Sequence, residues 1–209
     1  MTDLRFPDPD GFAKDPFGYS ALAWHKWGLI RTVNGFPVNI SKPPTAEDLK
    51  DPVLWLTHAG ALAQAATALV QSPPVFSQFP STLQTISHSQ YYAVSLMLVG
   101  YSLEVSLKAM QLRRLGISEF LAQEKSFLHH ELNELSHFVP DLSEKDRAIL
   151  TCLTHFVKWA GRYPDPGTRR VVAAVDLFSV CEEHKITARD VFELSSRVMK
   201  HANHVVAGS

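Results

Sequence analysis

Residues 84–115 form a long segment that would be apolar on nearly every side of a helix, and this feature limits the fold more than any other. Its main interruptions are the small residues Ser95, Ser102 and Ser106, and Gly116 follows as a helix stop. A helix that is apolar all round must be buried over most of its surface. We therefore expect it to be the central helix of an all-α bundle.

Start signals for further helices recur along the chain. A Ser or Thr followed three residues later by an acidic residue is typical of a capping box, and such pairs occur at 45–48, 143–146 and 187–190. Asp51 with Pro52 is another start, because proline is favoured at the first helical position. Together with the apolar spacing, these signals predict helices at 53–71, 118–124, 127–138, 144–160 and 187–205.

Two segments leave a strand open as an alternative. Val171, Val172 and Val175 suit a strand as well as a helix, so 169–184 is ambiguous. A strand pair in 30–42 or 169–180 is the main alternative to an all-α fold.

Residues 1–44 differ in composition from the rest. They are rich in proline and glycine, which predicts a mostly irregular arm with one short helix at 19–30. The segment also carries many aromatic residues, and aromatic groups gain free energy by burial. We expect an arm that packs on the body or on a partner subunit, followed by a single all-helical domain at 45–209.

The overall composition is that of a soluble globular domain: 45% of the 209 residues are hydrophobic and 20% are charged. The 20 basic and 21 acidic residues nearly balance, so any nucleic-acid contact must come from a local patch. Cys152 and Cys181 are isolated, which predicts reduced thiols in a cytoplasmic protein.

Glu104 and Lys108 interrupt the apolar segment, which favours a buried helix over a membrane span. Their four-residue spacing predicts an ion pair on one helix face.

Three segments, at 99–108, 129–135 and 157–164, have an order and spacing that resemble a HEPN-type helical domain. The resemblance covers roughly 90–205 and implies a helical bundle that pairs as a homodimer. In it, Glu104 and Lys108 match an acidic and a basic position, and His130 matches a histidine that contacts the preceding helix. We consider His130 a candidate ligand contact, with a structural role as the alternative.

The third segment contains a dense cluster of cations and aromatic rings, and it resembles a bacterial branch of this family. Cations can neutralise phosphates and exposed rings can stack on bases, so the cluster is a candidate nucleotide or RNA site. The alternative is a helix C-cap with a left-handed Gly161. The cluster consists of Lys158, Trp159, Arg162 and Tyr163, with Arg169 and Arg170 nearby.

Arg197 and His204 match the arginine, spacer and histidine pattern of HEPN ribonucleases. The resemblance implies metal-independent RNA cleavage at a dimer, with His204 moving a proton and Arg197 stabilising phosphate charge. Val198 follows the arginine where active members usually place a polar residue. Catalysis is therefore the second hypothesis.

Histidine pairs, His130 with His137 and His201 with His204, also suggest metal binding. Neither pair belongs to a known metal pattern, so we predict neither a metal nor another cofactor. The leading hypothesis is a cytoplasmic HEPN-like homodimer that binds a nucleotide, a nucleic acid or a partner protein of a toxin or defence system. A purely structural interaction module is the third.

Overall fold

The computed structural model describes residues 9–21, 23–36, 38–39, 41–168 and 171–208. The chain divides into two compact units, Met1–Leu54 and Trp55–Ser209, whereas composition places the change at residue 44. All regular secondary structure among the described residues is helical, so the all-α prediction is confirmed. Val171–Glu183, for which a strand was open, is a helix.

The first unit is more helical than its composition predicts. Its helices are α1 (Pro9–Lys14), α2 (Pro16–Ala21), α3 (Ala23–Val33) and α4 (Ala46–Leu49). The prediction of a mostly irregular arm is therefore wrong for the described residues. Two of the prolines are the first residues of helices, where the missing N–H removes no helical hydrogen bond.

The following helices begin and end close to the predicted positions, with two exceptions. The predicted helix at 127–138 is interrupted, because the Leu132 N–H bonds to Oγ1 of Thr154 (3.2 Å) and starts a separate short helix there. The predicted helix at 144–160 changes to a π-helical turn before it ends. The elements are α5 (Pro52–Gln71), α6 (Ser81–Leu115), α7 (Ile117–Ala122), α8 (Glu124–Phe127), α9 (Leu132–Leu135), α10 (Glu144–His155), the π-helical turn Phe156–Ala160, α11 (Val171–Glu183) and α12 (Ala188–Ala207).

Helix α6 is the centre of the core, as its apolar surface predicts. It packs against α12, α10, α9 and the π-helical turn. Fully buried side chains from three helices meet there and remove apolar area from water, which is the main source of stability. They include Leu103, Leu107 and Met110 of α6, Ile149 of α10 and Leu194 of α12.

Two serines of α6 bind the backbone of α5. The Ser102 hydroxyl donates to the Ala59 carbonyl (2.8 Å), and the Ser95 hydroxyl donates to the Ala66 carbonyl (3.1 Å). Both alanines are fully buried. Small side chains on both helices allow this approach, and the bonds satisfy polar groups that water does not reach.

Two helical segments are long and apolar enough to cross a membrane when judged by length and composition alone, Ala46–Gln71 and Ser81–Leu115. The second contains the central helix of the core, and 61% of its most apolar window is buried, against 11% for the first. Core helices pass the same test, so this is weak support for a membrane span.

Two glycines let the π-helical turn approach α6 closely. A Cβ built on Gly161 would lie 2.3 Å from Cβ of Met97, and one on Gly100 would lie 2.5 Å from Cγ2 of Val157. Side chains do not fit at these distances. Gly161 has right-handed helical angles (φ −86°, ψ −8°), so its interpretation as a left-handed cap is wrong. Close packing is the reason for glycine there.

This contact predicts opposite effects for two glycine substitutions. Gly100→Ala should lower the free energy of unfolding by about 1–3 kcal/mol, because the new methyl group overlaps Val157. Gly60→Ala in α5 is the matched control: nothing lies within 4 Å of its added Cβ, so it should raise stability by up to about 1 kcal/mol. Urea denaturation measures both. Equal effects would contradict the close packing.

Candidate ligand-binding site

The site is built around a charged group in the middle of α6. The Lys108 ammonium bonds to Oε1 of Glu104 (2.6 Å), and both residues are buried. The second carboxylate oxygen, Oε2, lies 2.8 Å from Nδ1 of His130. Glu104 therefore holds the segment before α9 against α6. The four-residue spacing predicts the first contact, and only the tertiary fold shows the second.

His130 also meets an aromatic ring of α6 that the sequence analysis did not select. The rings of Tyr101 and His130 are edge to face, with centroids 6.3 Å apart. The Tyr101 hydroxyl lies 3.5 Å from the carbonyl oxygen of Val157, at the longest distance for a hydrogen bond. Tyr101 lies three residues before Glu104, so helical spacing alone places it beside the ion pair.

Arg162 completes this arrangement from the other side of Tyr101. Its guanidinium bonds to the Tyr101 hydroxyl and lies 5.3 Å from the ring centroid. Lys158, one turn earlier, forms an ion pair with Glu131. His130 and Arg162 therefore both contact Tyr101, with Lys158 one turn before Arg162, and we call these four residues the cationic cluster.

Trp159 and Tyr163 belong to a different surface. Both line an apolar pocket between α6, α10, α11 and the start of α12, so they lie apart from the cationic cluster. Trp159 is buried, with Nε1 3.4 Å from Nδ1 of His155, while Tyr163 is 61% exposed. The sequence predicted one site containing both aromatic rings and both cations. The structure divides these residues between two surfaces.

The arginine of the predicted catalytic pair forms an ion pair within the subunit. The Arg197 guanidinium forms an ion pair with Oδ1 of Asp146, the third residue of α10. Asp146 Oδ2 accepts hydrogen bonds from the Ser143 N–H and hydroxyl. Arg197 thus helps to fix the start of α10, while His204 is exposed further along α12.

The environment of Asp146 shifts its titration. Burial raises the pKa of this carboxyl, but the hydrogen bonds from Ser143 and the ion pair with Arg197 outweigh burial and hold the pKa below its ordinary value. A carboxyl with a lowered pKa stabilises the folded state above its unfolded pKa. That contribution is lost as the pH falls.

Arg169 and Arg170 lie outside the described residues. Within the described part of the chain, no group of three or more His, Cys, Asp or Glu residues could hold a metal ion.

No protein-family model, curated protein or solved structure matches this chain. The resemblance to HEPN-type domains therefore stays a prediction.

The Arg197 contact predicts a pH-dependent loss of stability. Arg197→Ala should lower the free energy of unfolding at pH 7 by about 0.5–1 kcal/mol, a small value because the arginine is half exposed. The loss should shrink as the pH falls below about 4, because the unfolded chain then binds a proton that the Asp146–Arg197 pair keeps off the folded protein, and it should vanish once the folded carboxyl is protonated as well. Thermal unfolding at several pH values measures the difference.

Lys200→Ala is the control, since it removes an exposed cation from the same helix. Its effect should not vary over this pH range. If the Arg197→Ala loss stays constant between pH 7 and about pH 3, the assignment of Asp146 as its partner is wrong.

Proposed function

We propose that the protein is a HEPN-like domain that binds a nucleotide or single-stranded nucleic acid through phosphate at the cationic cluster, without catalysis. The observation that carries the proposal is the position of Arg162. It bonds to the phenol of Tyr101, and no carboxylate in the described part of the chain pairs with it. Its positive charge is therefore available to a phosphate group.

The other charges of the cluster support this assignment. Glu104 offsets the charge of Lys108, and Glu131 offsets that of Lys158. Among the lysine and arginine side chains of this group, Arg162 is the one whose charge no carboxylate of the described residues offsets. Arginine binds phosphate with a planar pair of donors, and the Tyr101 ring restricts where that plane lies.

An exposed aromatic ring follows Arg162 directly. Tyr163 is mostly exposed, but it lines the apolar pocket and lies apart from the cationic cluster, so the proposed phosphate site does not include its ring. Both residues follow the π-helical turn. Such turns are rare, and they occur frequently at functional sites.

We also propose that the protein pairs as a homodimer. The first unit exposes aromatic side chains, among them Phe12, Phe17 and Phe36, and apolar area of this kind is often covered by another subunit. Light scattering at high micromolar concentration should give the mass of two chains. A monomer mass under those conditions would refute pairing.

Binding of a fluorescein-labelled single-stranded RNA of ten nucleotides tests the phosphate site. Arg162→Ala should raise the dissociation constant at least fivefold, because one phosphate contact is lost. It should also reduce the salt slope by about 0.7. Fluorescence anisotropy across a salt series measures both quantities.

Arg147→Ala is the matched control. It removes one exposed arginine from the first turn of α10, roughly 20 Å along the helical path from Arg162 at 1.5 Å per residue. It should change affinity less than twofold. Equal weakening by both variants, or none by Arg162→Ala, contradicts the proposal. Metal-free RNA cleavage that His204→Ala abolishes would instead support the ribonuclease hypothesis.

A further inference from the structure

A second site lies on the apolar side of the π-helical turn. It is a pocket of about 800 Å³ between the first half of α6, the π-helical turn, α11 and the start of α12. Ligand pockets for small molecules measure about 300–1,000 Å³. The pocket is therefore large enough for one such molecule, and it is independent of the cationic cluster.

The described wall of this pocket carries no charged side chain. None of the described residues that line it is Asp, Glu, Lys, Arg or His. A charged ligand would lose its hydration there without gaining an ionic partner, so the wall disfavours ions. Its aromatic rings come from Phe156, Trp159, Tyr163 and Phe178, whereas polar groups such as Ser89 and Gln90 contribute single hydroxyl or amide groups.

Both cysteines of the chain face this pocket. Burial, with a smaller effect of the nearby Cys181, raises the pKa of the Cys152 thiol to about 11. At neutral pH, Cys152 is therefore a protonated, polarisable apolar group rather than a thiolate. Sulfur atoms pack favourably against aromatic rings, so the wall suits a ring-containing molecule.

We propose that this pocket binds a neutral, mainly apolar small molecule that contains an aromatic ring system. Its volume, its uncharged wall and its combination of aromatic and sulfur groups all favour that class. The proposal does not depend on phosphate binding, because Lys158 and Arg162 are absent from the pocket lining.

The neutral fluorescent amine N-phenyl-1-naphthylamine is a suitable probe. Its fluorescence should rise on titration and saturate at one molecule per chain. The anionic 8-anilinonaphthalene-1-sulfonate should bind at least tenfold more weakly, because the described residues of the wall offer no cation. Arg162→Ala should leave binding of the neutral probe unchanged, which separates this proposal from phosphate binding.

A pair of tryptophan substitutions in α6 locates the bound probe. Ser89→Trp places a large ring on an exposed position of the pocket lining and should weaken binding at least tenfold. Val94→Trp adds a similar ring at an exposed position of the same helix outside the lining, and should change binding less than twofold.

Thiol protection gives a test in the unmodified protein. Cys181 is exposed and lines the pocket, so saturating probe should slow its alkylation by N-ethylmaleimide at least fivefold, as measured by mass spectrometry. The proposal is overturned if the probe does not saturate at one per chain, if both tryptophan variants bind equally, or if Cys181 alkylation is unchanged.

Discussion

The buried carboxylate of Glu104 is the interaction on which the arrangement around α6 depends. A charge inside an apolar core is tolerated only when it is paired and hydrogen-bonded. Lys108 supplies the pairing from the same helix, and His130 supplies the second contact from the segment before α9. Without these partners the Glu104 carboxylate would destabilise the core. With them, it orients His130 beside Tyr101 at the proposed phosphate site.

The π-helical turn connects packing to both proposed sites. Gly100 and Gly161 bring this turn close to α6, and an ordinary side chain at either glycine would hold the two elements apart. On one side, Lys158 and Arg162 reach Glu131 and Tyr101. The opposite surface contributes aromatic rings to the apolar pocket. Cations and rings that are adjacent in the sequence thus lie on two different surfaces.

Short-range sequence patterns predicted the helices, but they did not predict the contacts between residues far apart in the sequence. The capping boxes predicted at residues 45, 143 and 187 are all present, because their hydrogen bonds join residues three apart. The Arg162 contact joins residues 61 apart and the Arg197 contact joins residues 51 apart. No periodicity in the sequence encodes such pairings. For the described residues of the arm at 1–44, the prediction was wrong because proline at a helix start was interpreted as irregular structure.

A double-mutant cycle on Glu104 and Lys108 tests the central claim most directly. Glu104→Gln and Lys108→Met should each lower the free energy of unfolding by about 3 kcal/mol, since the first leaves the buried Lys108 charge without its carboxylate and the second leaves Glu104 with the His130 contact but without its cation. The double variant should lose far less than the sum, because no unpaired charge remains. Losses that simply add would show that the two groups do not depend on each other, and would contradict the account.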